Sequence, residues 1–451
     1  MRAGLHAVST GGITVGHLLR RVLRTAGVDA VYGHPLAGVE VVEVAPVAVA
    51  MLMADAHARL HGRPAAVHRG DGLVVVGGAG GVAAGGPSGA GRAAVAVSSV
   101  DALLAMVEPI HAAGRTGARA PVTLDLDLDP AAPAPDLVPP QPPATDRWVE
   151  PDDQLVSVLA AASRPVVLAG PGVVRGGAVP GLHAAAAAAN LGVLNTWGAK
   201  GVFDWRSRHH LATAGLQAHD FTLGGLAEAD LIAATGVDPA EAPDDRWRLA
   251  PVARVDPGAL DALAGRWSRP LGDIAVPPLR AELARVTQAG WASTATPLAP
   301  SLVTRHYGEV FGAGGLVAAD PGVAGYWVAR TFATTELGGV QVPPAAGSDG
   351  FAVACATVAR LRSPQRPVLA AVDGPVTDLV LEALDAAARL GVAVPVEVWG
   401  VDGERVDAAD HLRRLRALVH ADTPSPVALA TDATQLDRMV DVAGEVVAWT
   451  T

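Results

Sequence analysis

The sequence predicts an α/β protein built from three doubly wound domains. Three observations carry that expectation: a length of 451 residues, short β-branched runs alternating with alanine-rich helical stretches, and two proline breaks. The length suits about three domains at ~150 residues each, every one large enough to bury a core. The alternation is that of parallel strands joined by crossover helices. Between Asp129 and Asp146, DPAAPAPDLVPPQPPATD is too proline-rich for a helix or a central strand and reads as a stiff, extended crossing. A second break falls in TATPLA, 294–299. The expected parts are a first domain over 1–130, a linker over 131–150, a central domain over 151–292 and a third domain over 298–451.

Taken in order, TVGHLLRRVLRTAGVDAVYGHP reads as an opening helix and first strand, and ADAHARLHGRP (54–64) as a helix. The strand-like LVVV leads into the glycine-rich run Gly77 to Gly91, which partly imitates a dinucleotide fingerprint. Its Gly78, Gly80 and Ala83 lack the third glycine, and no acid follows at the required distance, so a surface loop is expected. LDLDLD places Asp125, Asp127 and Asp129 on one strand face, expected to be a solvated edge. In the centre, PVVLAG, HAAAAAANLG, GVLNTW, LAEADLIAATG and ARVD spell strand, helix, strand, helix, strand, strand. In AGPGVVRGG, Pro171 between Gly170 and Gly172 removes an amide that a phosphate would use, leaving a strand-to-helix turn. His209, His210 and His219 show no metal-ligand spacing and read as loop histidines.

Composition excludes several classes of function. Half the residues are hydrophobic and 18% are charged, which leaves little room for disorder. A net charge of -11 argues against nucleic acid or an anionic membrane as partner. Lys200 is the only lysine. The single Cys355 permits no intrachain disulfide and no multi-cysteine metal site, and its apolar flank FAVACATVA predicts a buried thiol. The first residues, MRAGLHAVSTGG, carry no signal-peptide pattern, and no run approaches the ~18 apolar residues of a membrane span. A cytoplasmic protein is expected.

The order of these pieces resembles the thiamine-diphosphate-dependent enzymes of the acetolactate synthase and 2-oxoacid decarboxylase type. Those enzymes consist of a pyrimidine-binding domain, a central domain and a diphosphate-binding domain. The opening helix and strand and ADAHAR are similar to the first of these. RPVVLAGPGV, NTWGAKGVFD and EADLIAATGVDP resemble the second. AADPGVAGYW and GSDGFAVACATVARLRSPQRPVLAAVDG resemble the third, up to its GDG motif.

The resemblance implies a thiamine diphosphate whose thiazolium carbon attacks a 2-oxo acid and serves as an electron sink. It also implies a glutamate that protonates the aminopyrimidine and a Mg²⁺ held by Asp and Asn. Both devices are altered here. Eight residues before Asp55, the family glutamate is replaced by Val47, with Glu43 four residues earlier as the nearest substitute. The branch that makes tartronic semialdehyde from glyoxylate also carries valine there, so the change slows proton relay without excluding chemistry. GDG has become Val372-Asp373-Gly374, which keeps a metal-binding charge and a close backbone approach. The Asn pair expected 27 residues beyond Asp373 is missing. Gly400 stands at that position and Asp402 two residues later, where it would join Asp373 as a metal ligand. Asp373-Gly374 reads equally as a simple turn.

Two functions stay open. The first is a diverged lyase or carboligase on a small 2-oxo acid or aldehyde, with Val47, Asp373, Gly374 and Asp402 around the cofactor. The second is a noncatalytic homologue serving as a scaffold or as the partner of another subunit. Because the family binds its cofactor between the first domain of one subunit and the third of another, the resemblance also implies a homodimer or homotetramer.

Overall fold

The computed structural model describes residues 12–77, 94–115, 121–142, 149–268, 273–421 and 425–449. The glycine-rich run, apart from Gly77, lies outside the described residues, as do residues 143–148 of the proline-rich crossing. Three separate sheets follow one another along the chain.

The first sheet contains β1 (Ala30–Gly33), β2 (Val42–Glu43), β3 (Ala65–His68), β4 (Gly72–Val76), β5 (Val95–Val97) and β6 (Val122–Leu126), in the order β2-β1-β3-β4-β6-β5. It departs from the expected all-parallel winding at one strand. β4 runs antiparallel to both β3 and β6. Only Arg69, Gly70 and Asp71 separate β3 from β4, and so short a connection permits a hairpin but no crossover helix. Gly70 supplies the positive φ of +105° that the turn requires. Asp125, Asp127 and Asp129 are exposed as expected, although β6 lies between β4 and β5 and is not an edge strand.

The second sheet is fully parallel: β7 (Pro165–Ala169), β8 (Gly192–Thr196), β9 (His210–Ala214), β10 (Leu231–Thr235) and β11 (Val252–Val255), ordered β11-β10-β7-β8-β9. His210 opens β9 and is not a loop residue. AGPGVV forms a strand-to-helix turn, with Pro171 at the start of helix Pro171–Arg175. Its glycines answer to packing against the end of β10, since a Cβ on Gly172 would stand 2.6 Å from the Cα of Gly236. The third sheet is also parallel: β12 (Leu316–Ala319), β13 (Val340–Gln341), β14 (Val368–Asp373), β15 (Val396–Glu404) and β16 (Val427–Leu429), ordered β13-β12-β14-β15-β16.

The first and third sheets share a core. Helix Val47–His61 is apolar on nearly every side and buried from Val49 to Arg59, so it must be enclosed all round. It packs on helices Phe351–Arg362 and Asp378–Arg389 of the third domain, in one cluster that runs from Tyr32 and Val67 to Val372 and Val396. Alanines dominate this seam on both sides, among them Ala50, Ala54, Ala352 and Ala356, which lets the helix backbones approach closely. Cys355 is fully buried here as an ordinary apolar side chain, and burial pushes its thiol pKa up. The central domain is tied to the third by a buried ion pair. Arg330 donates to both carboxylate oxygens of Asp220 at 2.8 Å, and neither side chain is exposed at all. The same guanidinium reaches Gln217 Oε1 and Thr213 O, while its Nε is buried without an acceptor.

Candidate functional site at the carboxyl ends of the third sheet

Ligands of open parallel sheets bind beyond the carboxyl ends of the strands. β12 and β14, paired side by side, each lead to an acid at that edge, Asp320 just beyond β12 and Asp373 as the last residue of β14. Asp373 turns its carboxylate onto the first turn of helix Val323–Thr331, accepting from the amides of Val323 (2.6 Å) and Ala324 (2.9 Å). The approach is so close that a Cβ on Gly322 would lie 2.1 Å from Asp373 Oδ2, which makes glycine necessary there. Burial raises the pKa of Asp373, and the two amides oppose that rise.

Asp320 repeats the arrangement one strand away. Its two oxygens accept from the amides of Gly350 and Ala352, both at 2.7 Å, at the start of helix Phe351–Arg362. Burial, outweighing those amides, pushes its pKa up to about 7. Helix N-termini are the usual cradle for a phosphate. At this edge the amides of two such helices are engaged by the chain's own carboxylates.

The remaining sequence-marked residues lie around this edge. Gly374 donates its amide to Trp399 O at 2.7 Å on the neighbouring β15. A Cβ on Gly400, the counted ligand position, would come 4.0 Å from the Cα of Gly374, so the position is adjacent but carries no donor side chain. Asp402 lies on β15 within the register break between Trp399 and Glu404, and it is exposed. Among the described residues, no group of three or more His, Cys, Asp or Glu stands close enough to hold a metal ion. Val47 is the first residue of its helix, capped only by the backbone of Pro46, and it packs against the core shared with the third sheet. Val376, Leu379 and Val398, which flank Asp373 and Gly374, join the same cluster. Val47 and the apolar residues beside Asp373 thus pack against one continuous core within the chain. Glu43 ends β2 and faces solvent.

The fit to a metal-bound diphosphate is poor on these observations. A diphosphate needs free amides or cations, and the nearest amides are occupied, Val376, Leu379 and Val398 are aliphatic, and Asp349 adds a further negative charge beside Asp373 and Asp320. Sequence reasoning reached Asp373 but not its capping role, and it quoted Asp320 only as part of a motif. One local signal pointed to both: an acid at a strand end, two residues before a glycine or followed at once by one, with a helix close in space.

Residues 153–257 match the family model of the thiamine pyrophosphate enzyme, central domain. That segment spans the whole second sheet, from the helix before β7 to the end of β11. The match supports a thiamine-diphosphate enzyme family. Three parallel-dominated sheets in an α/β chain are consistent with the multi-domain fold of these enzymes. Among the described residues, no helix is long and apolar enough to cross a membrane.

Proposed function

We propose that the chain is a noncatalytic homologue of the thiamine-diphosphate enzymes, a three-domain scaffold or partner subunit whose cofactor positions now serve the fold. The observation that carries this reading is the double capping by Asp373 and Asp320, which turns the edge expected to hold a diphosphate into two closed helix starts. The valine at position 47 agrees with it, since an aliphatic side chain packed into a core exchanges no proton.

One observation favours the cofactor-binding alternative. Asp373-Gly374 stands at the carboxyl end of a central parallel strand, where a carboxylate would hold Mg²⁺ and, through it, a diphosphate acting on a small 2-oxo acid or aldehyde. Thermal melting with saturating thiamine diphosphate and Mg²⁺ separates the two. A ligand that binds only the folded state raises the melting temperature. The scaffold reading expects no rise beyond that given by Mg²⁺ alone. A saturable rise that disappears in Asp373→Asn would overturn it.

A further inference from the structure

Inside the third domain, five buried side chains form one hydrogen-bonded chain. It starts at Trp399 of β15, the register partner of Asp373, whose Nε1 donates to Tyr307 Oη at 2.7 Å and to Glu397 Oε2 at 3.2 Å. Tyr307 donates to the same Glu397 oxygen. The other oxygen, Oε1, lies 2.8 Å from His411 Nε2, and His411 Nδ1 lies 2.7 Å from His306 Nδ1. The chain joins three elements: β15, helix Pro300–Phe311, which carries His306 and Tyr307, and helix Ala408–Val419, which carries His411.

The chemistry of these groups fixes where each hydrogen sits. Burial first, and the Glu397 charge second, hold the Tyr307 phenol well above its ordinary pKa, so it keeps its proton and donates. The indole N–H donates and never accepts. Between a carboxylate and an imidazole the hydrogen belongs to the nitrogen, the stronger base, so His411 carries one on Nε2. A single hydrogen then fills the bridge between the two Nδ1 atoms. In the neutral pair it belongs to His306, because His411 already holds its own on Nε2. A first extra proton can be taken at His306 Nε2 with every bond kept, and the bridging hydrogen can shift so that the charge lies beside Glu397. A second finds no place, because two N–H groups facing each other at 2.7 Å break the bridge.

The surrounding charges oppose even the first proton. Burial first, then the charges of His411, of Arg305 on the same helix and of Arg416 on helix Ala408–Val419, pull the pKa of His306 down to about 4. Helices Pro278–Trp291 and Val323–Thr331, which also pack on helix Pro300–Phe311, add no charge to it among the described residues. Glu397 is the counter-charge, reached through His411. We propose that the His306–His411 pair is an acid-sensitive latch, closed while the two imidazoles share one bridging hydrogen and opened when both are protonated, releasing helices Pro300–Phe311 and Ala408–Val419 from β15. The unfolded chain binds a proton on each imidazole below about pH 6.5, whereas the folded pair holds one at most until the bridge breaks. The unfolded state thus binds more protons, and stability falls as pH falls from 6.5 through about 4.

The test is denaturant unfolding of the full chain across the range from about pH 8 to about pH 5, for the parent and for His306→Asn. The asparagine amide can donate to His411 Nδ1 and, once that nitrogen is protonated, turn to accept from it, so the variant has no excluded proton. Below about pH 6 the folding constant of the parent should fall relative to that of the variant by up to about tenfold per pH unit, the linkage of one proton. The readout is the pH slope, so a variant that is less stable at every pH stays informative. Hydrogen exchange of the parent, corrected for its intrinsic pH dependence, should show residues 300–311 and 408–419 opening at acid pH ahead of β7 and β8; if His306→Asn does not fold, this measurement decides. Parallel pH slopes in parent and variant, or helices that open no sooner than the central strands, would overturn the inference.

Discussion

Replacing Asp373 by alanine tests whether this acid serves the fold or a metal. In the structure its carboxylate holds the Val323 and Ala324 amides at 2.6 and 2.9 Å, as an N-cap would. Val323 is 43% exposed, so water can replace the lost bond there, whereas Ala324 is fully buried and its amide would be left unpaired. Loss of a helix cap costs about 0.5–2 kcal/mol, and an orphaned buried donor about 1–3 kcal/mol. Part of this is recovered, because burial already disfavours the Asp373 carboxylate. The expected net destabilisation is on the order of 1–2 kcal/mol. Asp373→Asn keeps one acceptor oxygen and should lose about half as much. The assay is denaturant unfolding of parent and both variants, with and without thiamine diphosphate and Mg²⁺. If Asp373→Ala unfolds at the parent midpoint while the cofactor stabilises only the parent, the capping argument is wrong and the acid is a metal ligand.

Val47→Glu places a carboxyl among apolar side chains at the shared core. It should destabilise by on the order of 1–3 kcal/mol, without faster exchange of the C2 proton of added thiamine diphosphate; acceleration of that exchange would restore a cofactor site beside position 47. Asp220→Ala leaves Arg330 buried with only neutral acceptors and should cost about 3–5 kcal/mol, read as a lowered unfolding midpoint; a change below 1 kcal/mol would show that the pair does not tie the central and third domains together. Glu241 has a folded pKa of about 7 against an ordinary 4.5, so the folded state binds the extra proton between those values. Its contribution to stability therefore falls as pH rises through that window, and Glu241→Gln should gain on the parent more at pH 8 than at pH 5 in paired melts. An equal difference at both pH values would contradict the raised pKa.

Much of the fold could be read from the chain, because local pattern and local structure coincide there. β-branched runs such as PVVLAG, GVLNTW and VLAAVD became β7, β8 and β14, since strands covered on both faces need no alternation. The helix over ADAHAR and the turn at Pro171 follow from alanine content and from the missing proline amide. The antiparallel direction of β4, read as a strand from LVVV, was not anticipated, because strand direction depends on the length of the connection and a hydrophobic run does not record it. The site was legible only as residue types. Asp373-Gly374 and Val47 could be located by counting, and the sequence placed cofactor binding narrowly ahead of the scaffold reading.

What tertiary structure decided is where each charge ends its path. The approach of β14 to helix Val323–Thr331 gives Asp373 two amides to hold, and the approach of Asp320 to helix Phe351–Arg362 does the same. The packing of the first domain on the third carries Arg59 to a cavity that Arg175 and Arg366 reach from other domains. Those cations are far apart in sequence and show no periodic pattern. Only the tertiary packing brings them to one cavity, because the chain between them is taken up by other strands and helices.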